Sequence, residues 1–77
     1  MKELHTWHVA CHHTSEIIDR ILMPIRKRGL KVTTLHYQRD TDTMATCVIT
    51  FEEEAPVAEQ IYKNLTRTLD VLRIERR

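Results

Sequence analysis

The sequence contains very little glycine, few aromatic residues and almost no excess of charge of either sign. Gly29 is the single glycine among 77 residues, whereas phosphate-binding loops and dinucleotide-binding turns need several glycines for close backbone approach. Twelve Lys and Arg stand against eleven Asp and Glu, so the formal net charge is only +1. So small a charge creates no broad field that would attract nucleic acid or an anionic membrane. The shortage of glycine argues against nucleotide chemistry. The small net charge predicts that any partner is recognised through specific contacts at one site and not through long-range attraction.

Long hydrophobic runs are also missing, and cysteine is scarce. No apolar stretch approaches the length of a membrane span, and the first residues lack the apolar segment of a secretory signal. We therefore expect a cytoplasmic protein with no membrane partner. In that compartment Cys11 and Cys47 are expected to stay reduced and to pack as small apolar residues. With 42% apolar and 30% charged residues, the composition is that of one ordinary globular domain over residues 1–77.

A change in apolar spacing predicts a first strand and a first helix. Residues 4–11 alternate along the chain, with Trp7, Val9 and Cys11 on one side, which is typical of a half-buried strand. Thr14 then offers a cap oxygen for a helix. The apolar residues of this helix recur at helical spacing: Ile17, Ile18, Ile21, Leu22 and Ile25.

The end of this helix carries conflicting signals. The basic residues 26–28 suit the C-terminal end of the helix dipole, and Gly29 can adopt the left-handed conformation that stops a helix. Pro24 lies inside the helical pattern, where proline removes a backbone hydrogen bond and tends to bend the helix. The sequence therefore supports the last turn of this helix less strongly than the turns before it.

The next segment predicts a strand with an irregularity. Residues 30–39 are rich in β-branched and aromatic residues, but the apolar Val32 and Leu35 are an odd number of positions apart. Because side chains alternate along a strand, both can face the core only if one residue is inserted between them. The sequence therefore predicts a bulge near Thr33 and Thr34.

The remaining segments predict a hairpin partner, a second helix and a last strand. Residues 40–43 supply turn chemistry, and residues 44–51 resume strand alternation, with Ala45, Cys47, Ile49 and Phe51 on one face. After the acidic run 52–54, Pro56 suits the first turn of a helix that ends before residue 70. Its apolar positions are Val57, Ala58, Ile61, Leu65 and Leu69. Residues 71–75 complete the pattern as a short strand.

The element order β-α-β-β-α-β predicts a split βαβ domain. Right-handed crossovers place both helices on one face of a four-stranded antiparallel sheet, with the first and third strands in the centre. The other sheet face has no cover and is moderately apolar, so we expect a partner there or at the sheet edges. Its predicted residues are Thr6, His8, Ala10, Met44, Thr46, Val48 and Thr50.

Five histidines raise the hypothesis of a metal site after the first strand. His8 and Cys11 point to opposite faces of a strand, and His12 and His13 are neighbours whose rings diverge, so the spacing is poor for a set of ligands. We favour surface histidines without a metal; a small metal-carrier domain using Cys11 with His12 or His13 is the alternative. A nucleophilic Cys-His pair would need a third, orienting group, and the sequence identifies none.

RNA-recognition domains share this element order but carry aromatic residues on the open sheet face. Here Trp7 and Phe51 fall on the side assigned to the core, and only Tyr37 could stack on a base. We therefore expect no nucleic-acid partner.

Three stretches, in their order and spacing, resemble an ACT domain, and most closely the short small subunits of valine-insensitive acetolactate synthases. They are the opening strand and helix (6–25), the basic link into a glycine and a strand (26–32), and the ending 65–74. The resemblance implies a ferredoxin-like α+β fold, a four-stranded antiparallel sheet with two helices on one face.

The same resemblance implies a regulatory subunit that has no chemistry of its own. It would bind and stimulate the acetolactate synthase catalytic subunit, which condenses two 2-keto acids in branched-chain amino-acid biosynthesis. Thiamine diphosphate, Mg and FAD would belong to that catalytic partner and not to this chain. A free-standing ACT amino-acid sensor is a further alternative.

Effector-binding ACT domains have an Asn-x-Pro-Gly-like turn before the first helix, which leaves the helix N-terminus open to a carboxylate. The matching effector loop here consists of His12, His13, Thr14, Ser15 and Glu16. Glu16 replaces the glycine, adding bulk and a negative charge where a ligand carboxylate would approach. The resemblance and this substitution together predict weak or absent valine feedback.

Effectors of ACT domains commonly sit between two subunits whose second strands meet edge to edge. The predicted sheet order makes the second strand an edge, and the expected dimer edge consists of Leu30, Val32, Thr33, Thr34 and Leu35. No charged side chain points inward there to block pairing, although Lys31 and Arg39 partly protect the edge. We expect a homodimer; the alternative is a protected edge and a monomer.

Overall fold

The computed structural model describes residues 2–26 and 32–76, which form six elements in the predicted order. They are β1 (Glu3–His12), α1 (Ile17–Arg26), β2 (Val32–Arg39), β3 (Met44–Glu53), α2 (Ala55–Thr66) and β4 (Val71–Arg76). The strands form one antiparallel sheet in the order β2-β3-β1-β4, so β1 and β3 are central as predicted. This is the ferredoxin-like βαββαβ fold. The expected helix stop at Gly29 and the edge residue Leu30 lie outside the described residues.

One hydrophobic core lies between the sheet and the two helices. Every second residue of β1 and β3 points into it, and each helix contributes one apolar stripe. The buried residues are Trp7, Val9, Cys11, Ile17, Ile21, Ile25, Ala45, Cys47, Ile49, Phe51, Ala58, Ile61 and Leu65. The predicted strand faces are therefore confirmed, because a period of two buries one face of each central strand.

The bulge predicted in β2 is confirmed. The pairing of β2 with β3 shifts register between Val32 and Thr34. Val32 and Leu35 are half-buried and both pack against the core, while Thr33 and Thr34 are exposed. In a regular strand, Val32 and Leu35 would point to opposite faces. The extra residue of the bulge brings both side chains onto the core face.

The predicted turn between β2 and β3 is held by its own threonine. The hydroxyl oxygen of Thr41 accepts hydrogen bonds from the backbone N–H groups of Thr43 and Met44, at 3.2 and 3.0 Å. Asp40 accepts a bond from the hydroxyl of Thr46 at 2.7 Å. These bonds replace strand pairing where the chain reverses.

The start of α1 differs from the prediction. Thr14 does not cap the helix: its buried Oγ1 has no hydrogen-bond partner among the described residues. The Arg20 N–H donates to the Glu16 carbonyl at 3.0 Å, so the first helical turn starts two residues beyond Thr14. Ile18 is also outside the core, at 37% exposure. Pro24 lies inside α1, which continues to Arg26.

The start of α2 agrees with the prediction, but its apolar stripe ends earlier. Pro56 occupies the first turn, where a missing N–H costs no helical hydrogen bond. Glu53, in the middle of the acidic run, is a buried residue of β3, and its carboxylate accepts the N–H of Glu54 at 2.9 Å. Leu69 lies beyond the helix end and is 68% exposed, so assigning it to the stripe was wrong.

Within the described residues, α1 has 10 residues and α2 has 12. Neither helix has the length and the apolar run needed to cross a membrane.

Candidate functional site

Three connections of the chain meet at one end of the sheet. They are the predicted effector loop after β1 (residues 12–16), the hairpin turn (residues 40–43) and the link between α2 and β4 (residues 67–70). Backbone hydrogen bonds join the first connection to the other two: the N–H of His12 donates to Asp70 at 2.8 Å, and that of His13 donates to Thr43 at 2.7 Å. We call these three connections the loop junction.

His13 connects the effector loop to the edge strand β2 through its side chain. Its Nδ1 atom lies 2.7 Å from the hydroxyl of Tyr37, and the two rings are 5.7 Å apart between centroids. Burial raises the pKa of the Tyr37 phenol, and the nearby Cys11, Cys47 and Asp40 raise it further. The phenol therefore keeps its proton near neutral pH and stays available for this hydrogen bond.

His12 connects the same loop to the link before β4. Its Nδ1 atom lies 3.2 Å from Oδ1 of Asp70, and the other oxygen of Asp70 accepts a bond from Arg20 at 3.0 Å. Asp70 has φ of 73°, the left-handed region, and no other described non-glycine residue has a positive φ. Aspartate tolerates this conformation better than most residues do.

Glu16 lies at the N-terminal end of α1, where the helix dipole attracts negative charge. Its carboxylate accepts a bond from Arg20 at 2.8 Å, so Arg20 joins Glu16 to Asp70. The Glu16 side chain is 68% exposed. The positive, N-terminal end of α1 therefore already has the Glu16 carboxylate next to it, and this carboxylate is paired with Arg20.

The predicted effector-loop residues are thus brought together, but not around an open binding site. Ser15 is exposed and Thr14 is half-buried. His12 and His13 point to different neighbours, Asp70 and Tyr37. Both histidines of the loop bond within the chain, whereas the buried hydroxyl of Thr14 has no partner among the described residues.

The alternative uses of Cys11 are not supported by its surroundings. Cys11 and Cys47 are both buried and free, on the central strands beneath the helices as predicted. The thiol of Cys11 donates to the Ala45 carbonyl at 3.6 Å, and burial raises its pKa, as do Asp40 and Asp70. The Nδ1 atoms of His12 and His13 bond to Asp70 and Tyr37, so neither atom pairs with the Cys11 thiol. The described residues contain no group of side chains that could hold a metal ion.

The open sheet face has the predicted composition. Its residues on β1 and β3 are all half-buried in the isolated chain, and Thr6 and Thr50 share a hydrogen bond of 3.1 Å between hydroxyls. A shallow cavity of about 190 Å³ lies on this face, over Ala10 and Thr46 and beside Arg73 and Glu75. A second, of about 330 Å³, lies between the helices, next to Arg20, Pro24 and Asn64.

The predicted dimer edge lies where expected. β2 is an outer strand of the sheet, paired on one side only with β3. Of its predicted edge residues, Thr33 and Thr34 are exposed, whereas Val32 and Leu35 pack partly against the core.

Solved structures show which known fold has this geometry. The ACT domain of GTP pyrophosphokinase from Chlorobium tepidum superposes with a TM-score of 0.83 at 17% sequence identity, covering 100% of both chains. The chain has the ACT-domain fold. The acetolactate synthase small subunit of Thermotoga maritima gives a TM-score of 0.80 at 16% identity, covering 96% of this chain but 47% of that one. The C-terminal domain of the MgtC protein from Mycobacterium tuberculosis gives 0.76 at 11% identity, covering 96% and 84%.

Sequence comparison adds no closer relative. No protein-family profile matches this chain, and no curated protein is significantly similar to it in sequence. At these identities the structural likeness establishes the fold and leaves the activity to be tested.

Within this ACT fold, the sequence did not indicate three residues that lie in the loop junction or bond to it. Arg20 was not singled out, although its spacing from Glu16 is that of a helical ion pair. Asp70 stands between a helix and a strand, a position where Asp or Asn often takes the left-handed conformation. Tyr37 was considered only for base stacking, and nothing in the sequence signals its bond to His13.

Proposed function

We propose that this chain is a non-catalytic regulatory subunit that binds and stimulates a thiamine-diphosphate-dependent acetolactate synthase catalytic subunit. The observation that carries the proposal is the superposition of 96% of the chain on an acetolactate synthase small subunit. It agrees with the sequence resemblance, which rests on different information: the stretches 6–25, 26–32 and 65–74.

The arrangement of the chain suits a binding role. Surfaces that could contact other chains include the open sheet face and the outer edges of β2 and β4. Contiguous, moderately apolar sheet faces are commonly covered in assemblies. We assign the edge of β2 to a second copy of the chain. The catalytic partner would supply thiamine diphosphate, Mg and FAD.

Valine feedback is expected to be weak or absent. A ligand carboxylate at the N-terminus of α1 would meet the Glu16 carboxylate, which has Arg20 as its partner at 2.8 Å. Like charges at such a site oppose each other, and displacing Glu16 would also break its ion pair. Valine binding in the micromolar range would contradict this expectation.

The test is acetolactate formation by the catalytic subunit encoded in the same genome, at fixed enzyme concentration, with and without this chain. We expect marked stimulation, together with co-elution of the two proteins on gel filtration. The control is another ACT domain of the same fold, such as that of a GTP pyrophosphokinase, which should not stimulate. Absence of both stimulation and co-elution would contradict the proposal.

The same assay separates the alternatives. Treating this chain alone with a chelator, and removing the chelator before the assay, should leave the stimulation unchanged, because the Mg belongs to the catalytic subunit. A metal carrier would instead bind copper or zinc stoichiometrically and lose it on Cys11→Ser. A free-standing amino-acid sensor would be stabilised against heat by its ligand, because a ligand that binds only the folded state raises the melting temperature.

A further inference from the structure

The effector loop connects to β2 through a pair of side chains far apart in sequence. His13 follows β1 directly, and Tyr37 lies near the end of β2, 24 residues later. We propose that the hydrogen bond between His13 and Tyr37 is a latch that holds the effector loop closed against β2, so that the loop needs no amino-acid effector to become ordered. That the latch orders the loop is a statement about this chain alone. That this order replaces an effector in regulation rests on the proposed function.

The position of Tyr37 makes it suitable as the fixed side of the latch. Tyr37 pairs with Cys47 of the central strand β3 and packs partly against the core. Its ring therefore belongs to the rigid sheet. His13 is exposed and lies in a connection without regular structure. The bond of 2.7 Å thus attaches a loop residue to a strand residue.

Neighbouring bonds hold the loop on both sides of the latch. The backbone N–H of His13 donates to Thr43 of the hairpin turn at 2.7 Å. On the other side, His12 reaches Asp70, and Arg20 then joins Asp70 to Glu16 at the start of α1. The loop is therefore fixed to three different segments by contacts within one chain.

This geometry has a consequence for ligands. A small molecule that inserted between the effector loop and β2 would have to break the His13–Tyr37 bond and replace it. Breaking this bond costs free energy, so the affinity of such a ligand falls unless its own contacts replace the bond. Replacing Glu16 alone should therefore not create a valine site, because the latch would remain.

Hydrogen exchange of the isolated chain tests the latch directly. Tyr37→Phe removes only the hydroxyl, and we expect the amide of His13 to exchange about tenfold faster, the factor for one lost hydrogen bond. The matched control is Tyr62→Phe on α2, which should leave that amide unchanged. The amide of Cys47 reports whether the sheet stays intact in both variants. Wild-type exchange at His13 in Tyr37→Phe, with Cys47 still protected, would overturn the latch.

Titration with valine, followed by amide chemical shifts, tests the consequence. Glu16→Gly should show no saturable shift below 10 mM, an upper limit chosen to cover weak binding, whereas Glu16→Gly combined with Tyr37→Phe should show one. Binding to Glu16→Gly alone would overturn the proposal that the latch excludes ligands.

These measurements do not use the catalytic subunit, so the two proposals fail separately. Faster exchange in Tyr37→Phe without any stimulation of acetolactate formation would support the latch and contradict the regulatory function. Stimulation together with unchanged exchange would support the function and contradict the latch.

Discussion

Asp70 combines a left-handed backbone conformation with bonds to two side chains. Its φ is 73°, and its carboxylate oxygens lie 3.2 Å from His12 and 3.0 Å from Arg20. Its carbonyl also accepts the N–H of His12. Asp70 thus has to adopt a left-handed backbone conformation and also to supply a carboxylate. Substitutions can measure the two contributions separately.

Asp70→Ala and Asp70→Gly should both lower the free energy of unfolding, since each leaves Arg20 without one of its carboxylates. Alanine should cost about 1 kcal/mol more than glycine, because only glycine adopts the left-handed conformation without steric strain. Urea unfolding measures the difference. Asp42→Ala, in the exposed hairpin turn, is the control and should change little. Equal losses for the two Asp70 variants would show that the backbone conformation is not strained.

Cys47 should make the stability of the protein fall in alkaline solution. Burial, and to a smaller extent the nearby Cys11, raise the pKa of its thiol from the ordinary 9.0 to about 11. Below pH 9 the thiol is protonated in both states, so the folded state has its full stability. Between pH 9 and 11 the unfolded thiol ionises first, which lowers the free energy of unfolding by about 2 kcal/mol.

Urea unfolding at pH 8 and pH 10.5 tests this effect. Cys47→Ala should show a smaller decrease between the two pH values than the wild type, whatever its stability at pH 8. Comparing the decreases removes the contribution of lysines, which also titrate in this range. The prediction fails if the two proteins lose the same free energy.

At the scale of elements, α1 contains an internal proline that its packing tolerates. Pro24 lies in the third turn of a 10-residue helix, where the Arg20 carbonyl lacks an N–H donor four residues later. The buried stripe of Ile17, Ile21 and Ile25 continues past it. Tertiary packing therefore outweighs the local preference against helix at this position.

Pro24→Ala should raise the free energy of unfolding by about 1 kcal/mol. The gain of a helical hydrogen bond exceeds the extra freedom that alanine gives the unfolded chain. Pro56→Ala is a matched control, because Pro56 lies in the first turn of α2, where no helical bond is lost. It should be neutral or slightly destabilising. A Pro24→Ala variant that is no more stable than Pro56→Ala would contradict the prediction.

At the scale of the whole molecule, the two outer strands differ in how they are protected. β4 has a register shift in its pairing with β1, and Arg73 and Arg76 form ion pairs with Glu75 and Glu59. β2 has the exposed threonines of its bulge at one end. Both outer strands are irregular, since β2 carries its own bulge, so the ion-paired charges of β4 make the difference and β2 is the more available edge.

We therefore expect a homodimer through β2, measured as molar mass by light scattering after gel filtration. The double substitution Thr33→Lys and Thr34→Lys should shift the protein to a monomer, since two-fold pairing would bring like charges together. The control double substitution, Gln60→Lys and Thr66→Lys, adds the same charge to exposed positions of α2 and should leave the mass unchanged. A wild-type monomer at high concentration would contradict the expectation.

The elements, their order and most of the core could be predicted from the sequence, because they follow from local spacing; Ile18 and Leu69 are the exposed exceptions. Alternation of period two and helical spacing identify the buried faces, and the odd separation of Val32 and Leu35 revealed the bulge. Each of these spacing patterns lies within one strand or one helix. Inside such an element, residues close in sequence are also close in space, so the pattern can be recognised from the sequence.

Only the tertiary structure decided the loop junction. His12 and Asp70 are 58 residues apart, and His13 and Tyr37 are 24 apart. No periodicity links such pairs, because their proximity depends on how three connections meet at the end of the sheet. For the same reason Thr14 was misread as a cap: the position of the first helical turn is set by packing of α1 on the sheet. The bonds that His12 and His13 make in the effector loop therefore follow from the fold and could not be predicted from the sequence.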